Sequence, residues 1–139
     1  MLRLSDTYVV EAFAAGWQDG KKRKEGNRTL NYDAVANIHF GFVGRAAGFD
    51  ADFLAVAAGV AQEMRWRETG NPNDKGACNM TYYCDHPYAT WSIQFGIYLY
   101  ELYKDRLNDL DEAAFAKALE EYIRAYGAPP APPPGAVAP

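Results

Sequence analysis

The sequence lacks several features by which common classes of protein are recognised. Among its 139 residues, no stretch approaches 18 consecutive apolar side chains, so we predict no membrane-spanning helix. It contains no glycine-rich phosphate-binding loop, no HExxH pair and no serine or cysteine nucleophile motif. Glu11 interrupts the first apolar run and no small-residue cleavage site follows, so we predict no cleavable secretory signal. We also predict neither a cofactor nor a bound metal ion.

Basic charge is also scarce. The chain has 14 lysines and arginines against 18 acidic residues, which gives a formal net charge of −4. Proteins that coat nucleic acids non-specifically are basic, so this balance argues against such a function, although a compact site for one phosphate group stays open. The basic cluster at residues 21–24 is interpreted either as a solvated loop or as a clamp for phosphate.

Strand-like alternation and internal repeats are absent, and apolar residues recur at helical spacing instead. The pattern predicts an all-α, compact single domain of about five helices over residues 1–127. The helices are expected at residues 5–17, 32–48, 50–67, 86–102 and 111–126, with caps at Asp50 and at Asp109 or Asp111. The predicted buried sides of the last two helices are Trp91, Phe95, Tyr98 and Leu102, and Phe115, Leu119, Tyr122 and Tyr126. Residues 128–139 are rich in proline, so we expect an extended or disordered tail.

The second predicted helix holds an unusual run, residues 37–49, in which three glycines stand among apolar residues. Each glycine costs about 1 kcal/mol relative to alanine inside a helix, so three of them require a structural reason. At 100° per residue, one face collects the small and polar residues Asn37, Gly41, Gly44, Arg45 and Gly48. The third helix has a small-residue stripe that ends at Gln62. We expect these two faces to pack closely and to bring Arg45 near Gln62.

A polar loop, residues 70–85, connects the third and fourth predicted helices and carries both cysteines. Connections of this length inside a compact domain are more often functional than idle. Cys78 and Cys84 are compatible with a disulfide, with free thiols, or with a zinc site that includes His86, although structural zinc pairs usually have a closer spacing. The loop ends at Asp85, which we expect to cap the fourth helix, with Pro87 in its first turn.

The chain has two histidines, and each has a structural and a functional interpretation. His39 lies on the apolar face of its helix, where it is either a core residue or a general base or acid. His86 stands at the start of the fourth helix, where free N–H groups and the helix dipole favour an anion. It is either a capping residue only or a proton donor to a bound phosphate ester.

Two blocks of the sequence resemble a known family. The first is the glycine-containing run at residues 37–49 with the alanine-rich helix that ends at Gln62. The second block consists of Asp85, His86, Pro87, Ile93, Gly96, Tyr98, Leu99 and Tyr100. Together they resemble the bacterial polymorphic toxin type 44 domain, and the sequence departs from that family's pattern at His86 and Ala89, where acidic residues are usual. The resemblance implies a small helical toxin used between bacteria, with a proposed RNase activity.

We therefore predict an interbacterial toxin or effector domain that cleaves RNA without a metal ion. His39 would take the proton of the 2′-hydroxyl, and Arg45 would stabilise the charged phosphorane. His86 would protonate the leaving 5′-oxygen, while Gln62 and Asp85 would orient these groups.

This mechanism has a geometric condition. An unbroken helix places His39 and Arg45 about 120° apart, so the helix would have to unwind between Gly41 and Gly44. The predicted partners are RNA or another phosphate-bearing substrate and a cognate immunity protein. The chain would be made in the cytoplasm, exported by a specialised secretion system and act in a target cell. The alternatives are a hydrolase of cell-wall or other substrates, with or without zinc, and a non-enzymatic helical module that binds a partner.

Overall fold

A computed structural model of the chain describes residues 32–130. It contains four α-helices, α1 Tyr32–Ala46, α2 Ala51–Thr69, α3 Pro87–Tyr103 and α4 Glu112–Tyr126, and the short 3-10 helices Pro72–Asp74 and Leu107–Asp109. No strand occurs within this range, so the predicted all-α class is confirmed. None of the four helices is long and apolar enough to cross a membrane. The predicted helix at residues 5–17, the basic cluster at 21–24 and the end of the tail lie outside the described residues, and the domain boundary at residue 127 stays a prediction.

The helix ends follow the capping residues of the sequence. The Asp50 side chain accepts a hydrogen bond from the backbone N–H of Phe53 at 2.8 Å, and Asp111 does the same for Ala114 at 2.8 Å. These bonds satisfy N–H groups that have no partner inside the helix. Gly70, with φ of 62°, ends α2 in the left-handed conformation that glycine adopts without steric cost.

Two glycines allow α1 and α3 to cross in close contact. A Cβ atom at Gly41 would collide with the carbonyl oxygen of Ile93, and one at Gly96 would collide with the carbonyl oxygen of Ile38. Backbone therefore lies against backbone on both helices, and Ile38 and Phe42 are fully buried beside the crossing. The glycines of α1 thus have a packing reason, but Gly41 serves contact with α3 rather than with α2.

Aromatic side chains join α4 to α3. The ring of Phe95 lies 5.6 Å from that of Phe115 and 5.2 Å from that of Tyr122, and Trp91 lies 5.3 Å from Tyr122. The prediction that Leu102 and Tyr126 face the core is wrong, because Leu102 is 39% exposed and Tyr126 is 68% exposed. Leu99 and Tyr103 of α3 are buried instead.

The helix α2 packs through its small side and leaves its bulky side in solvent. At Gly44 of α1 a Cβ atom would lie 2.5 Å from a methyl carbon of Leu54, so α1 does approach α2 closely at that point. Leu54 and Gly59 are the buried residues of α2. The opposite stripe, Phe53, Val56, Val60 and Met64, is between 41% and 57% exposed.

Candidate functional site

A disulfide turn, residues 77–85, precedes α3. Cys78 and Cys84 are joined by a disulfide, which selects one of the three alternatives that the sequence left open. An isolated antiparallel bridge pairs Ala77 with Asp85, and the backbone N–H of Ala77 donates to the Asp85 carbonyl at 3.0 Å. The Asp85 N–H donates to the carbonyl of Tyr82 at 2.8 Å. Both backbone groups of Asp85 are therefore fixed by the turn.

The disulfide turn is packed against α2 and contains strained backbone. A Cβ atom at Gly59 would collide with the carbonyl oxygen of Tyr83, so the turn touches the backbone of α2. Tyr83 and Cys84 adopt φ angles of 52° and 73°, a left-handed conformation that costs about 1–2 kcal/mol per non-glycine residue. Such conformations persist only where the surrounding structure fixes them. The disulfide and the contact with Gly59 supply that constraint.

The prediction that Asp85 caps α3 needs correction. The helix begins at Pro87, and its capping position is occupied by His86, whose side chain makes no capping hydrogen bond. Asp85 lies one residue earlier, and its Oδ1 accepts a hydrogen bond from the backbone N–H of His86 at 2.8 Å. Proline fixes the start of the helix, because it lacks the N–H that a continuing helix would need.

A cleft of about 940 Å³ opens at this end of α3. It lies between α1, α2, the 3-10 helix at Pro72–Asp74 and the start of α3. Its polar lining residues are Asn37, Gln62, Arg65, Glu68, Asn71, Asn73, Asp74, Asp85 and His86. Its larger apolar lining residues are Phe40, Met64 and Tyr88. Three of the residues predicted for the site, Gln62, Asp85 and His86, are thus brought together.

Gln62 connects His86 to the 3-10 helix. Its Nε2 donates to the main-chain carbonyl of Asp74 at 2.5 Å and lies 3.4 Å from Nε2 of His86. The Asp74 carboxylate is held in turn by two residues of α2: Thr69 Oγ1 donates to it at 2.6 Å and Arg65 Nε at 3.1 Å. Residues 62, 65 and 69 lie on one face of α2 at helical spacing, so one helix face holds the whole arrangement.

The two aspartates of the cleft have opposite pKa shifts. Burial raises the pKa of Asp85, which is 4% exposed, although the N–H and the ring of His86 act in the other direction. The hydrogen bond from Thr69 lowers the pKa of Asp74, and the charge of Arg65 adds to that effect. One carboxyl is therefore biased towards its protonated form and the other towards its ionised form. Pairs of this kind are typical of acid–base sites.

Among the described residues, 32–130, the lining of the cleft is not basic. It includes one arginine and no lysine, against the three acidic residues Glu68, Asp74 and Asp85. The arginine is already paired with Asp74. Such a lining is poorly suited to a long polyanion.

His39 and Arg45 do not line this cleft. The helix α1 runs unbroken from Tyr32 to Ala46, so the unwinding that the paired mechanism requires does not occur. Arg45 donates to the Glu101 carboxylate at 2.5 Å and to the carbonyl of Phe49 at 2.8 Å. The expected contact between Arg45 and Gln62 is therefore wrong, since the two side chains bind different partners. His39 is half-buried on α1, and its catalytic role stays a prediction.

The zinc alternative is also not supported by the geometry. In the described part of the chain, Glu63, Cys78 and Cys84 form the one group of three potential metal ligands. The two sulfur atoms are joined to each other, so they offer no thiolate. His86 does not belong to this group.

Sequence reasoning missed Asp74, Thr69 and Arg65. The segment from Asn71 to Asp74 has the composition of a turn, and Asn71 caps it by accepting from the backbone N–H of Asn73 at 3.0 Å. The turn itself was therefore predictable. Its attachment to α2 was not, because it depends on how the chain reverses after Gly70.

Fold and cleft together define a small all-α domain with a polar, acid-rich cleft at the start of one helix. The family model of Bacterial toxin 44 matches residues 4–102. The chain belongs to this family, so it is a bacterial toxin domain, as the resemblance of its two sequence blocks predicts. No curated protein and no solved structure matches the chain.

Proposed function

We propose that this toxin domain is a hydrolase that acts on the glycan of the bacterial cell wall. One observation carries the proposal: a buried aspartate with a raised pKa and a second aspartate with a lowered pKa line the same cleft. Glycoside hydrolysis uses two carboxyl groups in this way, one as a proton donor and one as a carboxylate. The raised pKa of a buried acid suits the donor.

In the proposed reaction Asp85 is the general acid. Its carboxyl proton passes to the glycosidic oxygen as the bond from that oxygen to the anomeric carbon breaks. The Asp74 carboxylate accepts a proton from the water whose oxygen bonds to the anomeric carbon. The reaction leaves Asp85 ionised and Asp74 protonated, and exchange with solvent restores both. His86 lines the same cleft and would hydrogen-bond the departing or attacking oxygen.

Two further features favour a glycan and an oxidising compartment. The acid-rich lining suits an uncharged or weakly charged polymer better than RNA. The Cys78–Cys84 disulfide suits the bacterial periplasm, because disulfides persist in oxidising environments and are rare in the cytosol. The glycan of the cell wall is a large polymer in the periplasm, and the sugar chain that forms its backbone carries no phosphate charges.

RNA is a second candidate substrate, and a separate observation favours it. His86 is the capping residue of α3 without a side-chain capping bond, and it lines the cleft. A helix N-terminus attracts phosphate, and a histidine there is placed to protonate a leaving oxygen. In this candidate His86 and Gln62 would act without Arg45, which is bonded to Glu101.

The two candidates are separated by offering both substrates to the purified domain. We expect new reducing ends from purified cell-wall sacculi and intact total RNA. Asp85→Asn should lower the release of reducing ends by about 100-fold or more, because a general acid contributes at least that much. Asp105→Asn, an exposed aspartate outside the cleft, is the matched control and should retain full activity. Cleaved RNA with intact sacculi would overturn the proposal in favour of the second candidate.

The family also supports a proposal about partners and delivery. Toxins that act on bacteria endanger the cell that makes them, so we propose a cognate immunity protein encoded beside this toxin. We further propose export by a specialised secretion system into a target cell. Production of the toxin with an added export signal, with and without the neighbouring gene product, tests the first point: growth should be restored only when both are made.

A further inference from the structure

We propose that Gln62 is a positioning residue that fixes which ring nitrogen of His86 carries the proton, and that Asp74 and Thr69 hold Gln62 in the required orientation. The inference deepens the proposed function, since it concerns the histidine of the same cleft. It rests on the direction of hydrogen bonds around one amide group.

The amide nitrogen of Gln62 has two hydrogens and faces two acceptor positions. It donates one hydrogen to the main-chain carbonyl of Asp74 at 2.5 Å. If the amide were turned over, its oxygen would face that carbonyl oxygen and neither could donate a hydrogen bond, so the amide orientation is fixed. Its second hydrogen points towards Nε2 of His86 at 3.4 Å. Nε2 must then be the unprotonated acceptor, and the neutral imidazole must carry its proton on Nδ1.

The carbonyl that orients Gln62 is itself immobilised. The Asp74 carboxylate accepts from Thr69 at 2.6 Å and from Arg65 at 3.1 Å, and the Asp74 N–H donates to the carbonyl of Asn71 at 2.8 Å. Gln62 and Thr69 belong to the same helix, seven residues apart. The acceptor and the amide are therefore held by one rigid element, which is what a fixed tautomer requires.

A fixed tautomer has a chemical consequence. With the proton on Nδ1, His86 offers an N–H donor at Nδ1, which makes no hydrogen bond to the described residues, and a lone pair at Nε2. Free histidine prefers the opposite tautomer, with its proton on Nε2. The arrangement around Gln62 therefore reverses an intrinsic preference, as hydrogen-bond partners behind functional histidines do.

Nitrogen-15 NMR of the His86 ring in the intact chain tests this proposal without any substrate. In the wild type we expect Nδ1 to carry the proton. The isosteric variant Gln62→Glu has only acceptor oxygens, so the ring proton should move to Nε2. Thr69→Val, which loses the donor to Asp74, should give a mixture of tautomers, and Thr69→Ser should restore the wild-type pattern. The signal of His39, the other histidine of the chain, is the internal control and should not change.

The proposal is overturned if wild-type His86 carries its proton on Nε2, or if Gln62→Glu leaves it on Nδ1. Because the measurement uses no substrate, its outcome is independent of whether the enzyme cleaves glycan or RNA. Activity provides the second readout. Gln62→Glu should keep its fold but lower turnover by about tenfold or more. Enzymes whose catalytic histidine is held in the wrong tautomer lose turnover in the same way.

Discussion

The contact between Gly59 and the disulfide turn allows the position of the site to be perturbed from a distance. Gly59 is buried in the middle of α2, and a Cβ atom there would lie 2.7 Å from the carbonyl carbon of Tyr83 and closer still to its oxygen. Both are backbone atoms, so they cannot move away as a flexible side chain could. Gly59→Ala therefore has to displace the turn that ends in Asp85.

The magnitude follows from two opposing effects. Overpacking a close contact costs about 1–3 kcal/mol, and the upper half of that range, about 2–3 kcal/mol, applies here because the contacted atoms are backbone. Replacing glycine by alanine inside a helix returns about 1 kcal/mol through helix propensity. We therefore expect a net loss of about 1–2 kcal/mol in the free energy of unfolding, which for a chain of this size lowers Tm by roughly 4–8 °C.

Thermal unfolding of three proteins measures this effect. The wild type and Gly59→Ala are compared with Val60→Ala, a neighbouring position that is 53% exposed and should change stability by less than about 0.5 kcal/mol. Backbone amide NMR shifts of residues 77–86 should change in Gly59→Ala and not in the control. A Gly59→Ala variant as stable as the wild type, with an unchanged turn, would refute the contact and the positioning of the cleft that we derive from it.

Four further predictions concern stability. Burial raises the pKa of Asp85, so its ionisation destabilises the folded state, and Asp85→Asn should be more stable than the wild type at pH 7. This advantage should vanish below about pH 4, where Asp85 is protonated in both the folded and the unfolded chain. Asp74→Asn should show the opposite sign, a loss at pH 7 that disappears as the pH falls through the lowered pKa of Asp74. Gly96→Ala should cost a net of about 1–2 kcal/mol in urea unfolding, since its Cβ meets the backbone of α1 while the helix propensity of alanine returns part of the loss; a cost under about 0.5 kcal/mol would contradict the close crossing. The disulfide joins cysteines six positions apart, so its reduction should lower the free energy of unfolding by only about 2 kcal/mol. The far-UV circular dichroism should stay unchanged, and unfolding by reductant alone would contradict this prediction.

Local features of the fold could be predicted from the sequence because they depend on neighbouring residues. Asp50 and Asp111 cap their helices through hydrogen bonds to residues three positions later, and Gly70 ends α2 through its own φ angle. Helical spacing also identified the buried residues Phe95 and Phe115. Such interactions are encoded within one or two helical turns.

Contacts between distant residues could not be predicted in the same way. Arg45 and Glu101 are 56 positions apart, and nothing in the spacing of either residue indicates that they pair. The reciprocal contacts of Gly41 and Gly96 likewise depend on the crossing of two helices. Glycines in a helix predict that another helix packs closely against it, but they do not indicate which helix of the chain this is. The expected contact between Arg45 and Gln62 was wrong for this reason.

The candidate site was predictable only in part. Gln62, Asp85 and His86 line one cleft, but the role of Asp74 depends on a 3-10 helix attached to α2 through Thr69 and is visible only in three dimensions.

Growth of bacteria that produce the domain in one of two compartments tests the central claim most directly. The wild type and Asp85→Asn are produced either with an added export signal that sends them to the periplasm or without one. We predict lysis only for exported wild type, with normal growth for exported Asp85→Asn at equal protein level and for both proteins kept in the cytoplasm. Growth arrest by the cytoplasmic wild type, or lysis by exported Asp85→Asn, would contradict the assignment of this cleft as a cell-wall hydrolase site.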